Sequence, residues 1–199
     1  GITDVLYNED STMLVYYPPS LEAVNFEIPA TVTSIGASAF DGAISLTSII
    51  IPASVTSIGD QAFFGTLSLS SIIIPANVTT IGSYAFSRVY DTEVESKLTK
   101  VTFEADSKLI SIGKGAFQNA SSLTSIIIPA GVISIGSNAF SDMTSLASFT
   151  VNQSNNKYRG VSGVLFDSSG ATLIQYPLGS TKTRYDIPTS VTNIGNNAF

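Results

Sequence analysis

The apolar positions of this chain recur at a fixed phase. From Leu46 the pattern reads Leu-x-x-Ile-x-Ile-Pro, then Val55, Ile58-Gly59 and Ala62-Phe63, before Leu69 opens it again. Aligned on Ile-Pro, copies carry Pro29, Pro52 and Pro75 at intervals of 23 residues, and later ones carry Pro129 and Pro188. One copy between them lacks the proline but keeps Leu98, Val101, Phe103, Leu109, Ile112-Gly113 and Ala116-Phe117. A period between about 20 and 30 residues predicts a solenoid. One unit cannot bury both of its faces, so each copy is the wall against which the next one folds.

Within a unit, the Leu-x-x-Ile-x-Ile segment predicts a short β-strand with alternating side chains. Proline ends it because it cannot donate to a ladder. Val55 and Ile58 are expected to pack inward along a second extended piece. The glycine that follows, Gly36, Gly59, Gly82, Gly113, Gly136 and Gly195 in the successive copies, implies either a positive φ or a tight backbone approach. Ala62-Phe63 and their counterparts are expected to return the chain through a short helical turn with the Phe ring buried. The predicted fold class is therefore an α/β repeat solenoid. The strands ending at Ile28, Ile51, Ile74, Phe103, Ile128 and Ile187 should form one parallel sheet, joined by Val151 beside Ile128. Short helical turns should lie on the opposite wall.

Two segments break the period. The interval from Leu69 to Leu98 is 29 residues, and its excess is polar, which predicts a loop over 87–97 leaving the stack. Between Leu146 and Ile187, Val164-Leu165-Phe166 and Thr172-Leu173-Ile174 flank Asp167-Ser168-Ser169-Gly170-Ala171, a hairpin signal. Residues 1–40 align without a gap on residues 160–199, with Tyr17-Pro18 falling on Tyr176-Pro177. The predicted order is a hairpin module at 1–22, five repeats over 23–151, a second hairpin module at 152–181 and the start of a further repeat at 182–199. Ending on Phe199 in mid-motif, the chain is expected to continue, because solenoids need polar caps.

Alternation also fixes which strand positions face out. Ile49 and Ile51 point inward, so Ile50 points away from the core. Along the units this outward position is Glu27, Ile50, Ile73, Thr102, Ile127, Thr150 and Asp186, whereas its inward neighbour is always apolar. Ile50, Ile73, Thr102, Ile127 and Thr150 are the candidate binding residues. Ile50 and Ile73 are expected about 4.8 Å apart on adjacent strands, with Ser48, Ser71, Ser125 and Ser148 along the edge.

Composition narrows the chemistry. The chain of 199 residues has 44% apolar but only 12% charged residues and a net charge of −6. Its nine Lys and Arg residues are scattered, which argues against nucleic acid, whose binders carry a basic patch. No stretch reaches the roughly 18 unbroken apolar residues of a membrane span, and none is expected to insert. There is no Cys and no His, so Ser-His and Cys-His nucleophiles and the zinc motifs built on those ligands are excluded. No cofactor, metal or catalytic residue is expected. Two carboxylates would suffice for a glycan hydrolase, and the sharpest acidic cluster is Asp91, Glu93, Glu95, Glu104 and Asp106. Interspersed Arg88, Lys97, Lys100 and Lys108 make it read as a solvated loop. Asn8-Glu9-Asp10 lacks calcium-loop spacing and reads as a hairpin turn.

The repeat "LTSIIIPASVTSIGDQAF" resembles the BspA-type leucine-rich repeat of bacterial and protist surface proteins, and "GVLFDSSGATLIQYP" resembles the hairpin module that accompanies it. The resemblance spans essentially the whole chain and implies a leucine-rich-repeat-like right-handed superhelix. The Cys slot of that family holds Ala43, Thr66, Val89, Ala120 and Met143 here, and its Asn-ladder positions hold Thr31, Ser54, Asn77, Gly131 and Ser190. The resemblance also implies a secreted or cell-surface location and adhesion to a protein or glycan of a host matrix or a neighbouring cell. A non-enzymatic binding solenoid is the leading expectation. A structural spacer displaying another module is the second, and a carboxylate glycan hydrolase the third.

Overall fold

The computed structural model describes residues 4–88 and 95–199. Strands β1 (Leu6–Tyr7) and β2 (Met13–Tyr16) form an antiparallel hairpin. Each coil then contributes one longer and one two-residue strand. These are β3 (Asn25–Glu27) with β4 (Ser34–Ile35), β5 (Ser48–Ile50) with β6 (Ser57–Ile58), and β7 (Ser71–Ile74) with β8 (Thr80–Ile81). Next come β9 (Lys100–Phe103) with β10 (Ser111–Ile112) and β11 (Ser125–Ile128) with β12 (Ser134–Ile135). After β13 (Ser148–Val151) the chain forms β14 (Tyr158–Val161), β15 (Val164–Asp167) and β16 (Thr172–Gln175), then the short β17 (Asn193–Ile194). The result is a β-solenoid. The expected loop insertion at 87–97 lies largely outside the described residues.

The continuous sheet is built from the short strands. In register, β4, β6, β8, β10 and β12 pair in parallel, and β2 of the hairpin caps the row. The longer strands form three separate pairs instead, β3–β5, β7–β9 and β11–β13, so the expected single sheet through them is not what forms. Ser48–Ile51 and Ser71–Ile74 are identical in sequence, so the break between β5 and β7 is not written in local composition. Ile187 also departs from expectation: it lies in no strand and is 42% exposed.

The glycine column explains why the short-strand wall is the tight one. A Cβ on Gly59 would stand 2.7 Å from the Gly36 carbonyl carbon, one on Gly82 2.4 Å from that of Gly59, and one on Gly113 2.5 Å from that of Gly82. Close approach, and not a positive φ, therefore demands glycine there. The left-handed residues come two positions later, at Ser38, Gln61, Tyr84, Gly115, Asn138 and Asn197, with φ between 52° and 59°.

No helix occurs among the described residues, and the helical turns expected at Ala39-Phe40, Ala62-Phe63 and their counterparts are not formed. Two left-handed residues within four of these turns, such as Ser38 and Gly42, and one in the turns at Tyr84 and Asn197, prevent a run of helical dihedrals. The backbone instead divides its donors. The N–H groups of Asp41 and Ala43 close local turns onto Ser38 and Phe40, while those of Ser38, Phe40 and Gly42 reach Asp60, Ala62 and Phe64 of the next coil at 2.7–2.9 Å. This wall is welded coil to coil and still buries its rings as expected. Phe40, Phe63, Phe86, Phe117 and Phe140 stack with centroids 4.9–6.0 Å apart and planes within 9°.

The second hairpin interrupts the stack. The main core ends at Phe149 and Leu165, and a separate small core of Val164, Phe166, Leu173 and Ala198 begins beyond it. There β16 pairs in parallel with β17 as β2 does with β4, and the ring group Tyr17, Phe26 and Phe40 recurs as Tyr176, Tyr185 and Phe199. At the break, the hydroxyl of Tyr158 accepts from the Ile135 N–H at 3.0 Å. It thereby replaces the carbonyl that a following coil would supply. Burial pushes this phenol up from its ordinary pKa, against the lowering effect of the Ile135 bond, so it stays neutral. Tyr158→Phe is expected to lower stability by about 1 kcal/mol in urea titrations, since it strands that donor. No change would mean that another group takes over the cap.

Candidate functional site

The predicted outward positions are the exposed ones. Ile50, Ile73 and Ile127 are 60%, 57% and 53% exposed, whereas the neighbouring Ile49, Ile51, Ile72, Ile74, Ile126 and Ile128 are all buried. Thr150 is also exposed and Thr102 half-buried. Strand register places Ile73 opposite Thr102, Ile127 opposite Thr150, and Ile50 opposite Glu27. Ile50 and Ile73 lie on neighbouring strands that belong to different sheets, so the row is built from pairs and not from the continuous ladder expected. At its foot, a cleft of about 390 Å³ opens between Phe103–Ser107 and Ile127, Pro129 and Ala130, with Asn152 and Ser154 at its end.

A second exposed apolar pair was not singled out by sequence reasoning. Thr33, Thr56 and Thr79 each donate a hydroxyl back to a carbonyl of the preceding coil, at 3.0–3.3 Å. The next two coils place Ile110 and Ile133 in this column, and both are exposed. The change from Thr to Ile at one repeat phase was the available signal.

The residues at the Asn-ladder phase retain part of that ladder's job. Ser54 donates to Val32 O at 2.7 Å and Asn77 to Ala53 O at 2.8 Å. Where Gly131 offers no side chain, Asn155 from the junction donates to Pro129 O and Val132 O. Ala43, Thr66, Ala120 and Met143 are all buried at the former Cys slot; Val89 lies outside the described residues.

Only Glu95, Glu104 and Asp106 of the acidic cluster lie among the described residues. Asp91 and Glu93 lie outside the described residues, and Glu104 accepts from the Ala76 N–H at 3.0 Å. No group of three or more metal-binding side chains occurs among the described residues. Asn8 and Asp10 spend their oxygens on the hairpin turn, accepting from the Met13 N–H and the Thr12 hydroxyl. Asp167 does the same in the second hairpin. Its slight burial opposes the charge, but bonds from Ser169, Thr172, Gly170 and Ala171 outweigh that and hold the carboxylate below its ordinary range. Tying down a turn accounts for that shift.

A family model of the BspA type leucine rich repeat region matches in six copies, over residues 15–105 and 94–160. The chain belongs to the BspA-type leucine-rich repeat family. No curated protein matches it significantly in sequence. Among solved structures, this BspA-type chain is similar to the pneumococcal vaccine antigen PcpA, with a TM-score of 0.80 and 30% identity over 98% of this chain and 45% of that one. It is also similar to a leucine rich cell surface protein of Faecalibacterium prausnitzii, at TM-score 0.69 and 25% identity over 98% and 65%. A leucine-rich repeat protein of T. pallidum gives 0.63 and 27% over 74% and 67%. The chain thus spans less than half of PcpA and about two thirds of the other two. No helix of the described residues is long and apolar enough to cross a membrane.

Proposed function

We propose that this BspA-type repeat segment is a non-enzymatic, surface-displayed binding module. It would recognise a protein or glycan of a host matrix or a neighbouring cell through its outward strand face. The observation that carries the reading is the row Ile50, Ile73 and Ile127, more than half exposed on a surface where other coils place Glu27, Thr102 and Thr150 at the same phase. None of these three isoleucines belongs to the hydrophobic core. Support for display at a surface comes from the kinds of protein the chain is similar to, a vaccine antigen and a cell surface protein.

The test is solid-phase binding of the purified chain to a panel of extracellular-matrix proteins and cell-surface glycans. It is followed by the triple change Ile50→Thr, Ile73→Thr and Ile127→Thr against whichever component is retained. Affinity is expected to fall at least about tenfold, equivalent to roughly 1.4 kcal/mol. Stability should move by under about 0.5 kcal/mol per site, as at other exposed positions. Unchanged affinity in the triple variant removes this face as the site, and a wild-type chain that retains nothing from the panel favours the spacer role.

A further inference from the structure

The interruption at the second hairpin leaves a row of backbone donors open. In the regular coils, Phe40, Phe63, Phe86 and Phe117 each donate their N–H to an alanine carbonyl of the next coil, at 2.7–2.9 Å. Positions two residues to either side do likewise, as Gly115 to Ser137 O and Asn119 to Ser141 O show. The counterparts in the last coil before the hairpin are the N–H groups of Asn138, Phe140 and Asp142. Among the described residues none accepts from them.

Other features of this edge are closed. Tyr158 accepts from Ile135, Phe149 covers the Phe140 ring edge-on at 5.3 Å, and Asn138 Oδ1 accepts from Asn197. Against Asn138 and Phe140 of the open row lies a cleft of about 170 Å³, with the Gly136–Phe140 wall on one side and Ile174, Gln175, Gly195 and Asn196 on the other; Asp142 lies beyond its lining. Its apolar lining, Ile135, Ala139, Phe140 and Ile174, belongs to the main core or packs against it, and no charged residue lines it.

We propose that this cleft is a docking slot for a short peptide segment of a partner protein, held as a surrogate coil. Alternate backbone carbonyls of the peptide accept from Asn138, Phe140 and Asp142, and a small apolar side chain enters between Ala139 and Ile174. The regular acceptors define the chemistry: Asp60, Ala62 and Phe64 present three separate carbonyls to one such row. A single carboxylate or phosphate cannot reproduce that spread, and the uncharged lining offers an anion no counter-charge. Main-chain pairing of this kind supplies affinity, while the side-chain pocket supplies selectivity. The slot is distinct from the isoleucine row and does not depend on it.

The probe is a capped peptide, Gly-Asp-Gln-Ala-Ala-Ala-Gly, which copies residues 59–65 with the two rings removed because Phe149 already covers the ring stack. Titrated into the full, nitrogen-15-labelled chain, it is expected to shift the amide resonances of Asn138, Phe140 and Asp142 and to slow their exchange about tenfold. Asn196→Trp fills the slot from its exposed rim and should abolish the response, as should Ser137→Trp from the opposite rim. The triple isoleucine variant should respond like the wild type. Three results overturn the slot. They are no shift at millimolar peptide, an undiminished response in both folded tryptophan variants, or shifts at Asn197 and Phe199, which would mean that the peptide merely extends the last coil.

Discussion

Gly82→Ala is expected to destabilise the solenoid by about 3 kcal/mol, near the upper end for one added methyl group. Its Cβ would stand 2.4 Å from the Gly59 carbonyl carbon and from the Asp60 nitrogen. Both are backbone atoms, so no rotamer change relieves the clash, and the coils must be prised apart where β6 and β8 pair. Gly65→Ala is the control. Its Cβ meets nothing closer than 3.8 Å, and the φ of +67° is the sole objection, a penalty of roughly 1–2 kcal/mol. Urea titration of the two variants beside the wild type separates the mechanisms. Equal losses would mean that close approach is not what the column of glycines provides. Because coils couple only to their neighbours, the Gly82 variant should also unfold over a broader range than the wild type.

Phe63→Ala should lower stability by about 3–5 kcal/mol, the range for deleting a buried ring that its surroundings cannot replace. Phe63 is buried between Phe40 and Phe86, with centroids at 4.9 and 5.2 Å and nearly parallel planes. Its backbone is pinned by its N–H bond to Ala85 O and, on the other side, by the Phe40 bond to Ala62 O, so the wall cannot collapse into the void. Phe199→Ala, at a ring that is 54% exposed, should lose much less. Thermal melts showing comparable losses for the two would contradict the stacked-ring account.

Much of the coil was legible because a repeat states its constraints many times. Leu46, Ile49, Ile51, Val55, Ile58 and Phe63 are all buried, as their recurrence required. The outward setting of Ile50 followed from the two-residue period of a strand. The end of the strand at proline was legible too, although the turn that follows, in which the Val55 N–H closes onto Pro52 O and Val78 onto Pro75 O, was not read. What misled was Ala62-Phe63. An apolar pair between glycines fits a helical turn as well as a turn stitched to its neighbour. The choice depends on where the Phe63 N–H finds its acceptor, which is Ala85 O, 22 residues away.

By itself, then, the sequence determined the period, the hairpins and the inward and outward residues, because each follows from local alternation or from direct repetition. Tertiary structure decided three further matters. It set which wall carries the continuous sheet: the short strands do, because the glycines beside them let backbones touch, a contact no single unit displays. It divided the longer strands into pairs, although identical residues lie on both sides of a break. It also placed Tyr158 over Ile135 and left the Asn138, Phe140 and Asp142 donors open, the first two of them lining a cleft. Those last relations join residues of different periods. Repetition encodes how one coil meets its copy, and it is silent where a coil meets something else.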